Sequence, residues 1–245
     1  MAPVTSLQNP TIKLMRSLAE KKYRQELRLF LAEGWDVLDR ARRAGWVPEH
    51  LLSTEPLSPW GDTQPVLVSE KIMAALSGQN NALTVVAAFK QRYATAVRPQ
   101  GTWVALEGMR DPGNLGTIIR TADAVGASGV ILVGQSCDPY SRDCVRATMG
   151  SIFGVQLAHM DVEACIALCN KWQGDVVGTH LKATEDFRRT YKSPALLVMG
   201  SEGRGLSDEL SEACKTLVRI PMPGKAESLN VATATALLLY EAVKP

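Results

Sequence analysis

The sequence predicts an α/β protein: a mostly parallel sheet with helices on both faces from about residue 103 onward, preceded by a small α+β unit. Three observations carry this. Past Thr102, short and almost continuously apolar runs alternate with helical patterns, as expected of strands buried on both faces between helices. The segment Ala94–Gly101 (ATAVRPQG) has little apolar content and contains Pro99 and Gly101, the composition of a linker. Before it, helical and strand patterns are shorter and mixed. The division is therefore 1–95, a linker over 96–102, and 103–245, and 245 residues suit one large domain or two small ones.

Within the first unit, Thr11–Leu18 and Glu33–Ala44 read as helices, the second with Val37, Leu38 and Ala41 as its apolar stripe. His50–Ser53, Pro65–Val68 and Thr84–Phe89 read as short strands. In the second unit the strands are Trp103–Leu106, Gly129–Val133, Gly154–Leu157, Val176–Gly178, Ala195–Met199 and Leu217–Ile220. The helices are Leu115–Val125, Arg142–Met149, Val162–Trp172, Ser207–Ala213 and Leu229–Ala242. The last is apolar on nearly every face, so it should be buried, yet Ser228 and Asn230 stand at its entrance.

Composition narrows the function classes. With 46% hydrophobic and 21% charged residues, disorder is excluded on compositional grounds. No apolar run approaches the ~20 residues that span a bilayer, and the N-terminal stretch MAPVTSLQNPTIK lacks the apolar core of a signal peptide. A cytoplasmic location is expected. The five cysteines form no C-x-x-C pair; Cys165 and Cys169, four apart, share a helix face and read as small core residues, not metal ligands. Residues 1–100 carry 13 Lys/Arg against 9 Asp/Glu, and residues 101–245 carry 14 against 16. The basic excess gathers at Lys13, Arg16, Lys21, Lys22, Arg24 and Arg28. It is either a solvated helical face or a surface for nucleic-acid phosphates, and charge alone does not separate the two.

Three loops, each at the carboxyl end of a predicted strand, are where ligands bind in open α/β sheets. The first, Asp111–Arg120, leads into a helix whose stripe is Leu115, Ile118, Ile119 and Ala122; Arg120 lies about 140° from Leu115 at about 100° per residue, free for solvent or ligand. Asn114 there reads equally as a helix cap. The second, Met199–Leu206, has Gly200, Gly203 and Gly205, which permit positive φ and close backbone approach. Neither the Walker pattern nor G-x-G-x-x-G is present, and the central Glu202 would repel a triphosphate, so a neutral or cationic adenosine compound fits better. The third runs from Ile220-Pro221-Met222 to Ser228-Leu229-Asn230, with Ser228 a candidate cap. His50, His159 and His180 are isolated in sequence, so no Ser-His-Asp set is visible, although His180 follows a strand and could line the same crevice.

Together these loops resemble the SpoU (TrmH-type) branch of the SPOUT RNA methyltransferases: N-x-G-x-x-x-R at Asn114–Arg120, G-x-E-x-x-G at Gly200–Gly205, and I-P-M-x-G followed by S-L-N-V over Ile220–Val231. Each alone is weak; all three in order over residues 103–245 are specific. Residues 1–95 resemble the ribosomal-protein-like RNA-binding domain that often precedes this catalytic domain, at Gln8-Asn9-Pro10, Phe30–Gly34 and Val68-Ser69. The chain departs at Asn80-Asn81-Ala82-Leu83, where a Pro-Gln-Gly turn is usual.

The resemblance implies a deep trefoil knot, a homodimer, S-adenosyl-L-methionine as methyl donor, and transfer to a ribose 2′-hydroxyl of structured RNA, ribosomal RNA before tRNA. It implies catalytic roles for Asn114, Arg120, Glu202, Ser228 and Asn230, with the cofactor held near Thr179, His180, Leu197, Met199, Gly200, Glu202, Gly203, Ile220, Met222, Ser228 and Leu229. Arg120 would also meet RNA, as general base or as phosphate clamp; a guanidinium stays protonated to above about pH 12, which makes the clamp the easier role. A sulfonium methyl is already activated, so no metal is expected. The alternative from another class is an RNA-binding protein without catalysis, for which this polar set has no chemical use. A dinucleotide-binding dehydrogenase lacks its fingerprint here.

Overall fold

The computed structural model describes residues 3–77, 83–201 and 203–244. They fall into two compact units: the chain up to Arg92 together with Asp138–Gly154, and Tyr93–Cys137 together with Val155 onward.

In the first unit, α1 (Pro10–Ser17) starts where Asn9 accepts the Thr11 and Ile12 N–H groups and Pro10 takes the first turn. Next come α2 (Lys21–Leu27), β1 (Leu29–Glu33), α3 (Trp35–Arg43), β2 (His50–Ser53), β3 (Val66–Leu67), α4 (Glu70–Ser77) and β4 (Val85–Lys90). The sheet order is β1-β4-β2-β3, antiparallel except for the β2–β3 pair. One face packs on α1 and α4 through Ile12, Met15, Leu52, Ile72 and Leu76. The helix predicted over Glu33–Ala44 begins later, because Gly34 sits at φ +85, outside helical space, and Leu29–Glu33 before it is a buried strand.

The second unit holds β5 (Thr102–Glu107), α5 (Pro112–Ala124) and β6 (Gly129–Val133); the chain then makes α6 (Arg142–Ala147) and a short 3₁₀ turn over Ser151–Phe153. It continues through β7 (Gln156–Met160), α7 (Val162–Lys171), β8 (Val176–Thr179), β9 (Glu185–Asp186), β10 (Ala195–Met199), α8 (Asp208–Ala213), β11 (Thr216–Arg219) and α9 (Val231–Ala242). Seven parallel strands run in the order β7-β6-β5-β10-β8-β11-β9. β6 and β10 are buried at every residue and β5 at all but its last, as a sheet covered on both faces requires. Cys165 and Cys169 lie in this core beside Trp103, Trp172 and Val198.

The stretch 138–154, assigned from sequence to the C-terminal domain, packs in the first unit. Tyr140 stacks on Phe30 at 4.7 Å, Phe153 meets Phe89 at 4.9 Å, and Arg142 and Arg146 both reach Glu33. A helical period shows that a face is apolar but not which core it will meet. Ala94 and Val97, from the predicted linker, pack against the second core. Among the described residues no helix is long and apolar enough to cross a membrane, and no group of three or more His, Cys, Asp or Glu is placed to hold a metal.

Candidate active site

The strand order reverses between β5 and β10: β6 and β7 extend to one side, β8, β11 and β9 to the other. Such a switch point leaves a crevice at the carboxyl ends of its strands. The three loops singled out from sequence leave β5, β10 and β11 at that end.

Asp111 caps α5, accepting the Asn114 N–H at 2.6 Å. The cap role considered for Asn114 therefore belongs to Asp111, and the Asn114 side chain is turned to another use: its Oδ1 accepts from Asn230 Nδ2 at 3.0 Å. Asn230 is itself the cap of α9, its Oδ1 accepting from Ala232 N–H at 2.8 Å and Thr233 N–H at 3.3 Å. One side chain thus closes a helix and ties the first motif to the third. The cap considered for Ser228 is supplied two residues later, which leaves Ser228 exposed on the approach.

The second loop closes on itself. The Gly205 N–H donates to the Ser201 carbonyl at 2.9 Å, and Gly205 has φ +70. A Cβ on Gly200 would lie 1.9 Å from the Gly205 carbonyl carbon and 2.1 Å from Leu206 N, so only glycine fits. The loop is held below by Ser207, whose N–H donates to Glu107 Oε2 at 2.8 Å and whose side chain caps α8. Glu202 lies outside the described residues.

A cleft of about 320 Å³ is lined by the second and third of these loops. From the predicted cofactor set, Thr179, His180, Met199, Gly200 and Gly203 line it from the ends of β8 and β10, and Ile220, Met222, Ser228 and Leu229 from the chain leaving β11. Leu197 does not: it is fully buried in the middle of β10, opposite Val104 and Val177. His180 Nδ1 accepts the Lys182 N–H at 3.1 Å, which fixes the ring and leaves Nε2 as the other polar atom. Val231 and Ala234 also line the cleft, three apart on α9; their spacing was legible, but which face of an all-apolar helix meets a ligand was not. Lys182, Arg204 and Arg219 stand exposed around it and were missed because they lie far apart in sequence. Ile220, Leu229, Val231 and Ala234 give an apolar wall, which fits an adenosine-bearing ligand with an aliphatic chain.

Arg120 is exposed on α5 and does not line this cleft. Six residues beyond Asn114, it is about 9 Å further along the helix axis. In the first unit Lys13, Arg16, Lys21, Lys22 and Arg28 are exposed, as a phosphate-contacting face requires. Arg24 leaves that set: it is buried, its Nε and Nη2 both 2.8 Å from Asp138 Oδ2 and its Nη1 donating to the Leu18 and Ala19 carbonyls. Its donors are used within the fold.

Residues 101–240 match the SpoU rRNA Methylase family, and residues 9–87 match the MRM3-like substrate binding domain. The structure is similar to that of an AdoMet-bound rRNA methyltransferase from Sinorhizobium meliloti, with TM-score 0.90 and 41% identity over 98% of this chain and 96% of that one. The chain is 29% identical to the 23S rRNA (guanosine(2553)-2′-O)-methyltransferase RlmP of Bacillus subtilis, over 98% of each. It is 33% identical to the 23S rRNA (uridine(2479)-2′-O)-methyltransferase of Streptomyces viridochromogenes, over 88% of this chain and 82% of that protein.

Proposed function

Because the chain belongs to the SpoU rRNA methylase family, we propose that it transfers a methyl group from S-adenosylmethionine to a ribose 2′-hydroxyl of ribosomal RNA, working as a homodimer in the cytoplasm. The observation that carries this reading is the Asn230–Asn114 hydrogen bond, which ties the first motif loop to the third, while the third and the second together line the cleft. In this reading the C-terminal chain closes a trefoil knot under the cleft.

When bound, S-adenosylmethionine supplies an electrophilic methyl on a sulfonium, which needs no metal. The chain's own residues do the rest. The apolar wall of Ile220, Leu229 and Val231 would hold the adenosine, with Met199 and Gly200 lining the same cleft from the end of β10. Asn114 and Asn230, fixed by their mutual bond, present amide groups to the incoming ribose. Ser228, exposed beside them, positions the hydroxyl. Arg120 clamps the adjacent phosphate, a role that suits a guanidinium permanently charged at physiological pH. Lys182, Arg204 and Arg219 add positive charge around the cleft, where a polyanion would arrive. The exposed Leu237 and Tyr240 of α9, three apart on one helix face, form part of the surface that meets the second copy.

The test is to incubate the protein with labelled S-adenosylmethionine and, separately, unmodified rRNA and tRNA transcripts, and to map ribose methylation. Label in an rRNA 2′-O position is expected. Label in tRNA alone would move the substrate. Cofactor binding with no label in either pool would sink the enzymatic reading in favour of a binding protein.

A further inference from the structure

We propose that the first unit carries a pocket for a single unpaired RNA base, built around Trp35; this rests on the reading that the chain acts on RNA. The pocket, about 340 Å³, lies where β1 ends and α3 begins, with Leu31 and Val145 buried in its floor and Trp35 and Met149 at its mouth. Both mouth residues are large apolar side chains held in the open, 44% and 49% exposed.

Neither position is accidental in its construction. The Trp35 indole N–H donates to Thr84 Oγ1 at 3.1 Å, so the ring is already oriented and loses little freedom when something stacks on it. Met149 has φ +50, a left-handed backbone that a non-glycine residue rarely adopts, next to Gly150 at φ +90. A polarizable thioether beside a fixed indole is a surface suited to a flat aromatic ring.

The charges in the pocket decide what kind of ring. Arg142 and Arg146 line it, but Glu33 ties both: Arg142 Nε lies 3.1 Å from Oε1, and Arg146 Nη2 lies 2.8 Å from Oε2. Arg142 also donates to the Leu76 and Ser77 carbonyls, and Arg146 to that of Ser77. Asp36 is the fourth charged group of the lining, so two guanidiniums face two carboxylates and no net positive field remains to hold a phosphate. A neutral heterocycle with polar edges fits. Bases stack on aromatic side chains only when they are free of a helix, so the occupant is a base from a bulge or loop.

Trp35 is also the indole that a bound ring can quench by contact, since Trp46, Trp60, Trp103 and Trp172 are each at most 7% exposed. The experiment compares RNA hairpins carrying one unpaired base, in each of the four kinds, with the same hairpin abasic at that position, by direct binding and by Trp35 emission. For the wild-type chain, at least one bulged hairpin should bind about tenfold tighter than its abasic twin and quench the emission. Trp35→Ala should bind both at the abasic level, and Trp35→Phe should restore most of the preference. Met149→Ala, which leaves the indole in place, should lower the preference by a smaller factor. If the wild type binds RNA but treats bulged and abasic hairpins alike, or if Trp35→Ala keeps the preference with an unchanged melting temperature, the pocket proposal falls and the methyltransferase reading stands. A wild-type chain that binds no RNA overturns both.

Discussion

A methyl group added at position 200 has no room. The Cβ would fall about 2 Å from the Gly205 and Leu206 backbones, so Gly200→Ala must pry open the loop that carries the second motif. Overpacking of this kind costs about 1–3 kcal/mol, and the loop is a wall of the cleft. The variant should therefore lose cofactor affinity by calorimetry as well as stability in urea; unchanged affinity would show that the cofactor is held elsewhere. Asn230 allows a finer separation. Asn230→Asp keeps the oxygen that caps α9 but loses the donor to Asn114 Oδ1, so stability should stay within about 1 kcal/mol while methyl transfer falls steeply. Asn230→Ala should lose both, with about 1 kcal/mol or more of the loss due to the cap alone. Equal activity of Asn230→Asp and wild type would reduce the Asn114–Asn230 bond to a structural detail.

At the scale of elements, what could be read in advance followed a simple division. The parallel strands were legible because burial on both faces leaves near-continuous apolar runs, and Gly129–Val133 and Ala195–Met199 fall where the pattern puts them. In the second unit, Pro112–Ala124 was legible from its stripe of Leu115, Ile118, Ile119 and Ala122, and Val231–Ala242 from apolar residues on nearly every face. The short helix Lys21–Leu27 was not, because KKYRQEL has no apolar stripe and its one buried side chain is an arginine. That residue is also where the site reading went astray: among six clustered basic residues, nothing local distinguishes Arg24, whose partner Asp138 is 114 positions away. Removing either member leaves the other charge buried and unpaired, at about 3–5 kcal/mol for a pair this sheltered. Arg24→Ala should then lower the urea midpoint sharply, whereas Lys21→Ala and Arg28→Ala should leave it unchanged and weaken RNA binding in a salt-dependent way. The reverse pattern would return Arg24 to the RNA surface.

For the whole molecule, two consequences follow from what burial does to charge and from what the cleft lacks. Burial pushes the Cys214 thiol and the Tyr191 hydroxyl both up to about 12, from ordinary values of 9.0 and 10.0. Between those values and 12 the native state holds protons that the unfolded chain has released, so stability is intact below about pH 9 and declines as pH rises toward 12. Urea midpoints should fall between about pH 8 and about pH 10.5, less steeply in Cys214→Ala; a flat profile would contradict the buried assignment. The second consequence concerns Arg120, the arginine that closes the first motif, which does not line the cleft of its own chain. In a symmetric dimer each chain can lend this side chain to its partner's site. Arg120→Ala and Asn230→Asp, each expected to abolish activity alone, then have opposite defects. In a mixed dimer, the site of the chain carrying Arg120→Ala keeps its own Asn230 and receives an intact Arg120 from the partner, while the other site has neither. Random exchange of equal amounts makes half of the dimers mixed, and half of the sites in those are sound, so about a quarter of wild-type activity should return. If Arg120 serves its own chain, no mixed dimer contains a sound site and nothing returns. A monomeric mass at micromolar concentration, or exchange shown by mass spectrometry with no recovered activity, would remove the shared site.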